Sequence, residues 1–175
     1  IDYTTMKKFI LLLLTTCSTA LIFGQEQGTL TDAEISFTFV SKKVNGTISG
    51  FSSSSAIDKN NISNSKIKGS VETKTLDSGN FLRTWSLKGG KYFDADTYPN
   101  INFEGSSVEA SNSGFTVIGQ LTIRDISKSV KIIFKEEGNR LVGTTTLFSS
   151  DFGIEIIKKS REANKVIVKM SFKVN

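Results

Sequence analysis

Residues 88–103 read Lys88-Gly89-Gly90-Lys91-Tyr92-Phe93-Asp94-Ala95-Asp96-Thr97-Tyr98-Pro99-Asn100-Ile101-Asn102-Phe103, and the chain changes its periodicity inside them. Just upstream, Phe81, Leu82, Trp85 and Leu87 recur at roughly helical spacing and stop at Gly89-Gly90. That pattern predicts a short helix over 81–87 leading to Phe93. Downstream, Pro99 confines Tyr98 to an extended conformation, and a strand starts at Ile101.

Away from this point the pattern is strict alternation. Ile35, Phe37 and Phe39 share one face, as do Phe115, Val117, Gly119, Leu121 and Ile123, and again Val166, Val168, Met170 and Phe172. Period two means strands with one buried face. Turn signals separate the runs at Val44-Asn45-Gly46, Asp58-Lys59-Asn60-Asn61, Ser111-Asn112-Ser113-Gly114, Glu137-Gly138-Asn139 and Glu162-Ala163-Asn164. The expected fold class is therefore all-β: an eight-stranded antiparallel barrel with one short inserted helix. Closure removes the two unpaired edges that an open meander would expose. At eight strands the interior either is filled by side chains or holds one small or elongated ligand, and 13 phenylalanines suit both.

The N-terminal residues read differently. Met6-Lys7-Lys8, the apolar run from Phe9 to Leu14, and Ala20 to Phe23 before Gly24-Gln25 have the form of a secretory signal peptide. The expected division is 1–24 as upstream residues and signal peptide, and 25–175 as one domain. Cys17 offers the competing possibility of a lipidated N-terminus. Cleavage after Gly24 leaves a mature chain without cysteine, so that its stability comes from its core. About 150 residues suffice for one such domain. Without the two lysines and one aspartate of 1–24, 20 basic and 16 acidic residues remain, a net charge of +4. The lysines alternate with apolar residues, as in Val130-Lys131-Ile132-Ile133-Phe134-Lys135, which is the pattern of a solvated outer sheet face, not of a nucleic-acid patch.

The 88–103 stretch, followed by Gly119-Gln120-Leu121-Thr122-Ile123-Arg124 and then Ser150-Asp151-Phe152-Gly153-Ile154, resembles the YceI-like family of secreted, lipocalin-like lipid binders. In that family "dFFDa..yP.i.F" precedes "v.G.LTi.G.tk.v" and a later "R.dFGi". Ile35-Ser36-Phe37-Thr38-Phe39 and Val44-Asn45-Gly46-Thr47-Ile48-Ser49-Gly50-Phe51 are similar to the family's opening strands, so the resemblance covers nearly everything after Gln25. It implies a lipocalin-like barrel enclosing an isoprenoid or other long-chain lipid, without catalysis, in the bacterial envelope and most simply the periplasm. A barrel with a filled interior, acting through its surface as an envelope stress or scaffold protein, is the competing reading. Two departures qualify the resemblance. The family's "RD.HL" appears here as Arg83-Thr84-Trp85-Ser86-Leu87, without its Asp and His, and Gly138-Asn139-Arg140 replaces a longer hairpin, which would shorten one wall of a tunnel.

The cavity-lining candidates are Phe37, Phe39, Trp85, Phe93, Phe103, Phe115, Val117, Leu121 and Ile123. Lys88 and Lys91, flanking the Gly89-Gly90 backbone, and Arg83 are candidates to hold an anionic head group. Arg124 alternates outward and reads as structural. Asp94, Asp96 and Glu104 are three carboxylates close in sequence, yet Asp94 and Asp96 fall where turns need them. Histidine is absent from the chain, which removes the commonest acid/base residue and transition-metal ligand. We accordingly expect no catalytic residues, no metal and no cofactor, a monomer or homodimer, no nucleic-acid partner and no stable membrane insertion.

Overall fold

The computed structural model describes residues 27–175. The expectations for 1–24 and Cys17 lie outside the described residues. Eleven strands run in chain order: β1 (Gln27–Gly28), β2 (Leu30–Phe39), β3 (Val44–Ile48), β4 (Ser52–Ser53), β5 (Ile57–Asp58), β6 (Lys68–Glu72), β7 (Asn100–Ser111), β8 (Gly114–Ile123), β9 (Ile126–Glu137), β10 (Arg140–Phe148) and β11 (Lys165–Val174). Helix α1 (Phe81–Lys88) is inserted between β6 and β7. Nine strands form one antiparallel sheet in the order β3-β2-β11-β10-β9-β8-β7-β6-β4, and β1 pairs with β5 as a separate ribbon.

The sheet's two outermost strands are successive stretches of chain, separated by residues 49–51. Gly50 bends the chain there with a φ of +67°, a conformation glycine adopts without steric penalty. Before the bend β3 pairs with β2, and after it β4 pairs with β6. The Glu72 N–H donates to the Ser49 carbonyl at 3.1 Å across this seam. One bent strand thus joins both ends of the sheet. Counting it once recovers the eight strands of the expected barrel, although its hydrogen bonding splits it in two.

Alternation sets the faces. Along β8, Phe115, Val117 and Ile123 are buried, and along β9 Ile132 and Phe134 are buried while Lys131 and Lys135 are exposed. Expected turns form at Asn112-Ser113 and at Gly138-Asn139, where Gly138 takes a φ of +64°. The reading of Val44-Asn45-Gly46 as a turn is corrected. The chain reverses earlier, through Val40–Lys42 and a left-handed Lys43, and Gly46 lies inside β3 opposite Phe37. A methyl group at Gly46 would collide with the Phe37 ring and the Asp77 carbonyl. Close approach of a ring and a backbone, not a turn, explains that glycine.

One end of the barrel is packed solid. Phe134 stacks on Phe115 with ring centroids 5.0 Å apart and lies 6.5 Å from Phe172, which in turn meets Phe51 at 4.9 Å. Val117, Leu141 and Ile132 complete this cluster, and Ile57 and Ile67 pack onto it from the segment between β4 and β6. Two smaller clusters, Ile48-Leu76-Leu87 and Ile123-Phe152-Ile154, occupy other parts of the interior.

Candidate ligand-binding cavity

Helix α1 is held at its N-terminus by a cap and at its C-terminal turn by Leu87. The Asn80 side chain caps it by accepting from the Arg83 N–H at 3.0 Å, a contact of the kind that contributes about 1 kcal/mol. Leu87 turns inward and packs on Ile48 and Leu76. Beyond the helix, the carbonyls of Leu87 and Lys88 accept from Phe93 and Ala95, and Asp94, with a φ of +46°, accepts from Thr97 and Tyr98. The 88–103 stretch is therefore a tight, self-bonded corner that leaves Phe93 facing the interior.

Between the packed end and this corner lies a cavity of about 380 Å³. Its wall extends from Phe134 and Phe172 of the packed cluster to Leu87 on α1, and it is almost wholly apolar. Of the nine expected lining residues, Phe37, Phe39, Phe93, Phe103, Leu121 and Ile123 stand on the wall. Gly119, lacking a side chain, leaves room for the Phe103 ring, whose Cζ would lie 2.6 Å from an added Cβ.

Three placements are corrected. Phe115 and Val117 do not line the cavity; they share the inward face of β8 but lie in the packed cluster, Val117 with no exposed surface at all. Period two predicts the face of a residue, not its depth along the barrel. Trp85 points away from the interior and is 72% exposed, because Leu87 is the α1 residue that faces inward. Sequence reading also missed part of the wall. Val166, Val168, Met170 and Phe172 line it, and their alternation carried the same signal as that of β8.

The polar rim likewise differs from expectation. Arg83 stands on the wall and is exposed, as are Ser86 of the same helix and Lys42 of the β2–β3 turn, so the cavity reaches solvent beside α1. Arg83 is held by Ser78, whose hydroxyl accepts from Nε at 3.0 Å and whose carbonyl accepts from Nη2 at 2.5 Å. Lys88 and Lys91 do not touch the cavity. The Gly89 N–H is directed back to the Ser86 carbonyl at 3.2 Å, which removes it from any anion nest. Lys42 carries no sequence signal, because the turn signal falls on Val44-Asn45-Gly46 while the reversal runs through Val40–Lys42. Ser149, at the cavity wall, keeps its Oγ buried without a hydrogen-bond partner.

The carboxylates near the motif are separately engaged. Asp96 pairs with Lys74 at 2.8 Å and Glu104 with Lys68 at 3.2 Å. Among the described residues no group of three or more His, Cys, Asp or Glu is placed to hold a metal ion. Arg124 takes a left-handed backbone in the β8–β9 turn and lies over the Tyr98 ring at 5.6 Å.

Comparison with known proteins follows the same outline. The chain is 30% identical over 128 residues to a UPF0312 protein of Vibrio parahaemolyticus, an alignment covering 67% of this chain and 68% of that protein. Its fold is similar to that of BcnA from Burkholderia cenocepacia, with a TM-score of 0.68 at 20% identity over 82% of this chain and 96% of that one. It is also similar to a polyisoprenoid-binding domain from Saccharophagus degradans implicated in plant cell wall breakdown, with a TM-score of 0.55 at 11% identity, covering 85% and 97% of the two chains. With the YceI-like domain matching residues 28–175, from the first strand to the last residue, this chain belongs to the YceI-like family.

Proposed function

We propose that this protein is a non-catalytic carrier of an apolar lipid in the bacterial envelope, to which the leader-like residues 6–24 direct it. The observation that carries the reading is the apolar cavity of about 380 Å³, placed beside a solvent-reaching rim that holds Lys42, Arg83 and Ser86. Burying a hydrocarbon tail there releases roughly 25 cal/mol for each Å² taken out of water, without any reacting group. The polyisoprenoid-binding neighbour supports an isoprenoid as the ligand class. The volume lies toward the small end of ligand pockets, which span about 300–1,000 Å³. It suits a short isoprenoid, or the terminal part of a longer one, with its polar end at Arg83 and Lys42.

Organic extraction and native mass spectrometry of the protein purified from an envelope fraction test the reading. A stoichiometric apolar lipid is the expected result. Protein that carries no lipid and takes up none when incubated with an isoprenoid alcohol such as farnesol would overturn it.

A further inference from the structure

Helix α1 carries an exposed face that the cavity does not use. Phe81 is 82% exposed, and Leu82 and Trp85 are each 72% exposed, while Leu87 anchors the opposite side to the barrel. Nothing among the described residues covers these three. Residues 78–93 contain Arg83, Lys88 and Lys91 between the flanking Asp77 and Asp94; the Asp77 carboxylate is taken up by the Thr84 hydroxyl at 3.2 Å, and among the described residues neither Lys88 nor Lys91 has a carboxylate within ion-pair distance. The same helix supplies Arg83 and Ser86 to the rim of the cavity.

We infer that this face docks the protein reversibly on an anionic lipid bilayer, with α1 lying in the interface and the cavity rim held against the membrane. A tryptophan, a phenylalanine and a leucine projecting from one side of a short helix, bordered by lysines, is the composition of interfacial helices and aromatic belts. Charge selects the occupant. A second copy meeting this face across a two-fold axis would bring the patch holding Arg83, Lys88 and Lys91 against the same cationic patch, a like-charge juxtaposition. An anionic headgroup surface complements the same cations. Docking here is peripheral: among the described residues no helix is long and apolar enough to cross a membrane. The inference goes beyond lipid carriage and stands whether or not the cavity holds a ligand.

Trp85 is the chain's only tryptophan, so its emission reports this face directly. Purified protein is titrated with vesicles of phosphatidylglycerol and phosphatidylcholine, and with phosphatidylcholine vesicles alone. The expected result is a shift of Trp85 emission to shorter wavelength with the anionic vesicles, together with co-flotation, both weakening with salt. The double variant Phe81→Ser/Leu82→Ser keeps the reporter and weakens binding on the order of tenfold or more. Lys88→Glu/Lys91→Glu weakens it comparably on anionic vesicles. All four positions lie outside the interior, and far-UV circular dichroism checks that each variant is folded. Because every comparison is within the same chain, any contribution of residues 1–26 is common to all samples. Emission that is already blue-shifted and indifferent to vesicles, equal response to neutral vesicles, or a shift that tracks protein concentration and dimer formation in sedimentation equilibrium would each overturn the inference. Cavity contents are measured separately by extraction, so failure of docking and failure of lipid carriage are distinguishable.

Discussion

Arg140, at the start of β10, reaches across β11 to Asp32 in β2: its Nη1 lies 2.9 Å from the Asp32 carboxylate, and its Nη2 donates to the Asp32 carbonyl. Asp32 has a φ of +48° and sits where the β2–β11 register shifts between Ser171 and Lys173. The shift is a bulge, and it returns Leu30 to the inward face after the Ile35-Phe37-Phe39 alternation has run out. Bulging frees backbone carbonyls from the ladder, and the Arg140 guanidinium collects them, since it also binds the Ser171 carbonyl at 3.0 Å. Arg140→Met keeps the aliphatic stem and removes the donors. It is expected to cost about 1–3 kcal/mol in denaturant unfolding, through backbone groups left without partners. A loss below a few tenths of a kcal/mol would show that solvent replaces the guanidinium.

The same aspartate belongs to a set that fixes the acid limb of stability. Asp32 is held below the ordinary value of 3.8 first by its contact with Lys173 and then by Arg140. Asp58 is lowered chiefly by the Asn61 backbone N–H, Asp96 by Lys74, and Asp151 by Arg161. A carboxylate whose folded value is depressed contributes stability that is complete above the unfolded value and disappears as pH falls through the folded one. With no histidine in the chain, no side chain of ordinary pKa titrates between about pH 5 and 8. The thermal midpoint is expected to be flat across that window and to fall below about pH 4. Asp151→Asn should flatten part of that fall. A midpoint that changes between pH 5 and 8 would contradict the assignment.

The division of the barrel into a packed end and a hollow middle predicts opposite responses to one chemical change. Val117 is fully buried, and one of its methyl carbons lies 3.1 Å from where a Cβ on Gly105 would stand, so Val117→Phe has no space to enter. It should destabilise by roughly 1–3 kcal/mol through overpacking and leave lipid content per folded molecule unchanged. Val168 lines the cavity. Val168→Phe should leave the unfolding midpoint nearly unchanged and reduce the lipid recovered on extraction. Equal destabilisation by the two variants would mean that the cavity collapses around its wall.

Much of this was legible in the residues, for reasons that also explain the failures. Strict alternation in 115–123 and 166–172 reports which side of a sheet a residue occupies, because the pleat enforces it. It does not report depth, which depends on strand tilt and on what fills each end, and so it points Phe115 and Val117 at the cavity when they belong to the packed cluster. Helical spacing located α1 correctly but not its rotation. With only Leu87 buried, either side of so short a helix satisfies the periodicity, and Trp85 lies on the outer one. Lys42 reaches the rim through a turn that lies ahead of its sequence signal, since Gly46 resembles a turn glycine although the Phe37 ring beside it is what requires it.

Asn164 stands in the sequence only as part of a turn signal, yet it holds a loop together. Asn164 is 1% exposed, and its Oδ1 accepts from the backbone N–H groups of both Ile156 and Ile157 at 3.0 Å. Its Nδ2 donates to the carbonyls of Ile157 and Ser160 at 2.8 and 3.3 Å. One amide therefore serves four backbone groups in the loop after Phe152-Gly153-Ile154, a loop that also supplies Ile154 and Ile156 to the cavity wall. Asn164→Ala leaves those groups without this partner, at about 1–3 kcal/mol for each that water cannot reach. Asn164→Asp preserves the two acceptor contacts and loses the two donor contacts, and it places a charge where almost no surface is exposed. Both variants should be destabilised, and amide hydrogen exchange should rise specifically at Ile156 and Ile157. If exchange at those two amides is unchanged in Asn164→Ala, the loop is held by the packing of Phe152 and Ile154, and the asparagine is dispensable to it.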